Sequence, residues 1–265
     1  MLIKTGVSAY LEWLPVDGTF VYQLKKGGFF CYFTFSFLIL LAKGGGMIAK
    51  VPANDKEAFL EGIKRNVSLG WTEIHVPGGT FEDIAILNEI KSENDLLQRI
   101  YFMVSDGKHA DRLLENGPII DPEYFLTIRA IKMYADGALG SRGAALLENY
   151  SDYDGKGVFI FLEEDTKPRL AKALIKGIQI GTHAIGDHGN RVVLDWYEEA
   201  FTQAKKNNQL LESPRWRIEH SQNITPVDQL RFVELDVIPS MQPSHAIGDL
   251  HFAVERLGLE RINNA

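Results

Sequence analysis

From Asp55 onward the apolar positions change period in a regular order. Asp55 can cap a helix running to Val67, with Ala58, Phe59, Gly62, Ile63 and Val67 on one stripe and Gly70 stopping it. A short β-type run at residues 72–76 follows, closed by Pro77, Gly78 and Gly79. The pattern then predicts a helix over about 81–92, a strand at 99–104 and helical residues near 110–115. Pro118 and Pro122 lead to a strong strand at 128–135. A long loop at about 136–156, rich in Gly, Asp and Ser, interrupts the alternation. It resumes with a helix at 167–176, a strand at 178–183, a helix at 190–206, a strand at 216–220, a helix at 226–234 and a strand at 237–240. Strands separated by helices of this length are the signature of βαβ units on a parallel sheet. About six such strands are expected, wound by right-handed crossovers into a barrel or an open sheet.

The first 46 residues read differently. Residues 29–42 are uncharged and almost wholly apolar, preceded by Lys25 and Lys26 and followed by Lys43 and three glycines. The run is shorter than the roughly 20 residues of a membrane-spanning helix, and it lies further from the start than a secretory signal core. A buried strand-turn-strand, or a stretch preceding a natural start at Met47, remains open beside those two readings. We therefore divide the chain into an unassigned segment, 1–46, and a partial barrel domain of alternating strands and helices, 47–265.

Composition narrows the function. A formal charge of −7 argues against a nucleic-acid groove or a polybasic membrane patch, both of which need clustered positive charge. The single cysteine, Cys31, excludes an internal disulfide framework and a four-cysteine zinc module. A cytoplasmic location is the expectation. The seven histidines are the richest source of nitrogen ligands.

In barrels, reactive groups gather where strands end and βα loops begin. His183 ends one expected strand and His220 the end of the next, each just before a polar loop. A lone histidine there is usually structural, but two on successive strands meet at neighbouring ends. Lys132 lies inside an apolar strand, where a charge is costly unless it is paired, neutral or modified. On the residues alone, a salt bridge to a nearby carboxylate is the simplest remedy. Gly137, Gly140 and Gly143 are spaced GxxGxxG, which matches neither a Walker loop nor a dinucleotide fingerprint. Trp196, Tyr197 and Trp216 read as packing residues.

The motifs also carry a resemblance. The stretch from Ile131 through Lys132, Asp136 and Gly137 to Arg142, with 145–152, resembles the fourth-strand block of metal-dependent amidohydrolases. The nearest branch is that of N-substituted formamide deformylase-like enzymes. Thr182-His-Ala-Ile-Gly-Asp187 with Asn190, Arg217-Ile-Glu-His-Ser-Gln222, and Pro239-Ser-Met-Gln-Pro-Ser-His245 with Asp249 are similar to its next three blocks, in the same order. The resemblance covers about Asp55 to Ala265. It implies an α/β fold, a (β/α)₈ TIM barrel of the amidohydrolase type, of which this chain holds about strands two to seven.

It further implies one or two divalent metal ions, usually zinc, with His183 and His220 as ligands. Lys132 falls where many members carry a carboxylated lysine bridging two metals, a modification that would answer the desolvation problem chemically. His245 falls at the active-site mouth as a catalytic residue contacting substrate or intermediate. Asp187 and Asp249 are expected to anchor loops or orient the histidines. The implied reaction is hydrolysis of a carbon–nitrogen bond in a small amide-like or formamide-like substrate by metal-activated water.

Two family features are missing from the sequence. No His-x-His pair, the family's first-strand ligands, occurs anywhere, and no counterpart of the eighth-strand aspartate follows His245. The expectation is a truncated or split gene product that alone is inactive or binds metal weakly. It would act as a homo-oligomer or with a complementing chain. The competing reading is a catalytically inactive barrel remnant serving as a binding or scaffolding protein. A phosphotriesterase-like hydrolase uses similar ligands but fits these blocks poorly.

Overall fold

The computed structural model describes residues 11–16, 19–24, 55–209 and 213–262. The apolar run at 29–42 lies outside them. The chain divides into two compact units: residues 1–104 with 119–128, and 105–118 with 129–265.

In the first unit, β1 (Leu11–Val16) and β2 (Thr19–Leu24) pair antiparallel, two strands within the segment the sequence left unassigned. Helix α1 (Asp55–Ser68) buries Ala58, Phe59, Gly62 and Ile63, most of the stripe its periodicity marks. Strand β3 (Glu73–Gly79) pairs parallel with β4 (Arg99–Ser105), and α2 (Phe81–Ser92) connects them. Thr80 and Asp83 form a reciprocal capping box at the start of α2. Strand β3 does not stop before Pro77 as expected. The register shifts between Pro77 and Gly79, and at such a bulge a proline costs no ladder hydrogen bond. A two-residue strand, β5 (Ile119–Ile120), pairs antiparallel with the first half of β6 (Leu126–Tyr134), a pairing too short to leave a periodic signal.

The second unit carries the rest of the pattern. Helix α3 (Lys108–Asn116) precedes β6; then follow α4 (Glu163–Ile175), β7 (Gln179–Ala184), α5 (Asp187–Lys206), β8 (Arg217–His220), α6 (Pro226–Glu234) and β9 (Ile238–Ser240). Strands β6, β7, β8 and β9 pair parallel in that order. Helix α4 starts four residues before the expected Lys167, because Glu163, Glu164 and Asp165 supply the negative charge that favours a helix N-terminus. The α/β class is therefore observed, with helices alternating with parallel strands.

Residues from Ile128 through Met133, apart from the half-buried Arg129, are buried on both faces of β6, as a sheet covered on two sides requires. On the helix side, Tyr197 of α5 joins Thr182 Oγ1 at 2.7 Å and stacks edge-on against Trp216 at 4.8 Å. Trp216 donates from Nε1 to the Ile178 carbonyl at 3.1 Å, so these aromatic residues lock α5 onto β7 and β8.

The loop after β6 lacks regular elements but has its own core. Leu139, Ala144, Leu146 and Tyr150 pack with Ile185 and with Ala253 and Leu257 of α8 (Ala253–Arg261). Arg256 of that helix pairs with Asp152 and donates to the Gly140 carbonyl at 2.9 Å. Glycines of this loop and of the turn after β7 allow the close backbone approach this packing needs. A Cβ on Gly137 would meet the Gly143 Cα at 3.1 Å, and one on Gly186 would fall 1.9 Å from the Ala145 carbonyl oxygen. Gly186→Ala is accordingly expected to lower stability by at least the roughly 1–3 kcal/mol of an overpacked core, read as a lower midpoint in thermal unfolding.

Asp228 caps α6 together with Thr225 and accepts from Arg191 at 2.9 and 3.0 Å, although it is almost fully buried. Burial pushes its carboxyl up, but the bonds from Arg191 and Thr225 outweigh that and hold it below the usual carboxylate range. The carboxylate's contribution is thus present above the unfolded value of 3.8 and lost as pH falls through the lower folded one. Asp228→Asn is expected to cost roughly 1–3 kcal/mol at pH 7, and the gap to wild type should shrink below pH 3.8 in urea-unfolding series.

Candidate metal centre

The register of β6, β7 and β8 decides which side chains share a face. Lys132 stands opposite Gly181 and Tyr134 opposite His183; Gly181 stands opposite Arg217 and His183 opposite Glu219. Paired residues of neighbouring strands point to the same side of a sheet, so Lys132, Tyr134, His183, Arg217 and Glu219 share one face. The opposite face is the one that carries Thr182 against Tyr197 of α5.

His220 stands opposite Ala184, and strict alternation would turn it toward α5. Its backbone prevents that. His220 has φ +77° and Ser221 φ +45°, a left-handed pair in two non-glycine residues that ends β8 with a sharp turn. The turn brings the His220 ring edge-on to His183, with centroids 4.5 Å apart. Such backbone strain, of order 1–3 kcal/mol per residue, persists where the surrounding structure fixes it, and it concentrates at functional sites.

The partners of the two rings assign their tautomers. His183 Nε2 lies 3.4 Å from both the Gly137 carbonyl and Asp136 Oδ1, so Nε2 carries the hydrogen and Nδ1 the lone pair. His220 Nδ1 lies 2.5 Å from Gln242 Oε1, while Gln242 Nε2 donates to the Ser240 carbonyl at 2.9 Å. The amide oxygen therefore accepts from Nδ1, and Nε2 of His220 is left as the free lone pair. Burial, reinforced by His220 and Lys132, holds His183 well below the usual histidine value. Burial together with Lys132 brings His220 down to about 4. Both imidazoles are neutral at pH 7, the form that binds metal.

Lys132 is 3% exposed. A salt bridge to a carboxylate, the remedy suggested by the residues alone, is not how it is accommodated. Nζ donates to the Met133 carbonyl at 3.0 Å and lies 3.6 Å from the centre of the Tyr134 ring. Burial lowers its pKa to about 7, with Glu219 pulling upward and Arg217 downward.

Three residues went unassigned by sequence reading. Asp136, at the C-terminal end of β6, accepts backbone hydrogens from Ile185 at 2.9 Å, Gly186 at 2.8 Å and Ala145 at 2.9 Å. Burial pushes it up to about 7 against these bonds. Arg217 and Glu219 form a buried ion pair at 2.6 Å on the face that carries His183. The signal for them was present: charges at alternate positions of a strand otherwise buried.

His245 opens α7 (His245–Gly248), half-buried, with its ring 5.5 Å from that of His220. Burial lowers its pKa while Asp249 pulls it back up. Asp249 accepts from Gln222 Nε2 at 2.6 Å, and Asp187 accepts from the backbone of Leu147 at 2.9 Å.

Among the described residues, no three His, Cys, Asp or Glu side chains converge as a metal site. His183 and His220 do fit a divalent ion as a pair: two neutral rings, each with one nitrogen committed to a partner and the other free. An unmodified, protonated Lys132 would not complete such a set, whereas an anionic modified one would. Among the described residues, no helix is long and apolar enough to cross a membrane.

The parallel strands, the helix-covered outer face and the polar inner ends of β6, β7 and β8 define an α/β protein with a histidine-lined site at its strand ends. The chain belongs to the amidohydrolase family, whose model matches residues 38–265. The protein LONG AFTER FAR-RED 3 of Arabidopsis thaliana is 28% identical over 215 residues, covering 78% of this chain and 35% of that protein. The crystal structure of an uncharacterized metal-dependent hydrolase from Pyrococcus furiosus superposes with a TM-score of 0.68 at 27% identity, over 79% of this chain and 42% of the other. Its counterpart from Pyrococcus horikoshii gives the same TM-score at 26% identity, with 41% of that chain covered. The chain thus spans well under half the length of these relatives, and its parallel strands fit part of an amidohydrolase-type barrel.

Proposed function

We propose that this chain carries the metal-binding strands of a hydrolase that cleaves carbon–nitrogen bonds in small amide-like substrates. The observation that carries the reading is the His183–His220 pair, 4.5 Å apart and holding one free lone pair each by different partners. Family membership and the metal-dependent hydrolases among its structural relatives support it.

His183 and His220 would hold the ion, zinc in the first instance, with Lys132 completing the set after carboxylation by CO₂. A pKa of about 7 leaves a large share of Lys132 as the free amine, the form that reacts with CO₂. A bound divalent ion would supply hydroxide near neutral pH and polarise the substrate carbonyl. Arg217 beside Glu219 keeps the charge on this face balanced. His245 is the residue we assign to substrate contact, its ring standing beside His220. Formamide-like substrates are the finer expectation, drawn from the motif resemblance alone. We further propose that the remaining ligands come from a complementing chain, or from other residues of a second copy.

The test is a panel of N-substituted formamides and simple N-acyl amines, incubated with the zinc-loaded protein while released amine is measured. Amine release lost on chelation and in the His220→Ala variant is expected. If a second copy contributes, the rate per chain rises with protein concentration. Zinc bound without release from any substrate would favour the binding or scaffolding reading.

A further inference from the structure

We propose that Gln242 is a positioning residue for His220: its amide oxygen sets the ring's tautomer and aims Nε2 onto the face that carries His183. The proposal rests on the metal reading above for its purpose, and on hydrogen bonds alone for its geometry.

Gln242 follows β9 by two residues and is separated from His220 by 22 positions in sequence. Its own amide is fixed, because Nε2 donates to the Ser240 carbonyl at 2.9 Å and so directs Oε1 at His220 Nδ1, 2.5 Å away. An amide oxygen can only accept, and a carboxamide does not titrate near neutrality. Gln242 therefore holds Nδ1 protonated at any pH at which the ring is neutral. A neutral histidine side chain in water favours the Nε2–H form, which would present N–H where a lone pair is needed.

The same segment grips the strand end a second time. Asp249 accepts from Gln222, two residues after His220, at 2.6 Å. Between the two grips lies the left-handed turn at His220 and Ser221. That turn, costly in two non-glycine residues, is fixed from the β7 side by the Ser221 N–H on the Ala184 carbonyl at 3.1 Å and from the other side by these two grips. The stretch from Gln242 to Asp249 lies where that restraint is needed, and the His245 backbone N–H bonds the Gln242 carbonyl at 3.0 Å to tie the stretch together.

The experiment reads the tautomer directly, by long-range ¹H–¹⁵N correlation of the His220 ring in metal-free protein, with His220→Ala to assign the signal. Wild type should show the Nδ1–H form. Gln242→Met keeps the side-chain length and removes the oxygen; it should shift the population so that Nε2–H becomes the major form. Zinc affinity should fall about 10–100-fold, the usual cost of losing a residue that orients a metal-binding histidine. Gln242→Glu restores an acceptor and should restore both readings. Should the Met variant fail to fold, Gln242→Leu serves in its place.

An unchanged Nδ1–H tautomer in the Met or Leu variant would overturn the proposal. So would a loss of zinc affinity without a tautomer change, since that marks a merely structural role. A tautomer change in a protein that takes up no zinc would instead sink the metal reading and leave the positioning role standing.

Discussion

Asp136→Ala is expected to destabilise the second unit by at least about 3 kcal/mol in urea unfolding followed by circular dichroism. The carboxylate gathers the amides of Ala145, Ile185 and Gly186, from the loop after β6 and the turn after β7, at 2.8–2.9 Å. Alanine would leave all three hydrogens buried with no acceptor, at roughly 1–3 kcal/mol each. Water cannot easily replace the lost oxygens. Gly189 approaches Asp136 so closely that a Cβ there would lie 2.6 Å from Oδ2, leaving little room. Asp136→Asn keeps one acceptor oxygen and should fall between alanine and wild type. A loss below about 1 kcal/mol for the alanine variant would mean that these three bonds do not hold the strand ends together.

The double variant His183→Ala, His220→Ala is expected to abolish saturable zinc binding, and each single variant to weaken it by more than about 100-fold in isothermal titration. That exceeds the loss for an orienting residue because a ligand itself disappears. The folds of the variants should survive. His183 contributes its ring to a polar inner face rather than to the apolar cluster of Leu139, Leu146, Tyr150 and Leu257. Unchanged zinc uptake in the double variant would place the metal elsewhere.

The fold was legible where periodicity is strong. Parallel strands covered on both faces leave mostly apolar runs such as residues 128–135, broken only by Arg129 and Lys132, and the helices between them carry clear stripes. What escaped was set by pairing rather than pattern. Strand β5 is two residues long, β3 crosses a bulge at Pro77, and the loop after β6 is ordered by tertiary packing against α8. His183 and His220 could be picked out as strand-end histidines. That they face one another could not, because strict alternation puts His220 on the wrong side and only a left-handed backbone returns it. Gln242 and Asp136 were invisible as site residues for the same reason: their roles lie in bonds to groups 22 and 49 positions away. Lys132 was recognisable as anomalous, yet its accommodation by a carbonyl and the Tyr134 ring depends on geometry no sequence pattern encodes.

The central claim is that Nδ1 of His183 and Nε2 of His220 are the nitrogens that bind a metal. The most direct measurement is an anomalous difference map, recorded at the zinc edge, from crystals grown with zinc. The account predicts one dominant peak at about 2.0–2.1 Å from both of those nitrogens. A dominant peak bound to neither ring, or one bound through His183 Nε2 or His220 Nδ1, would contradict it.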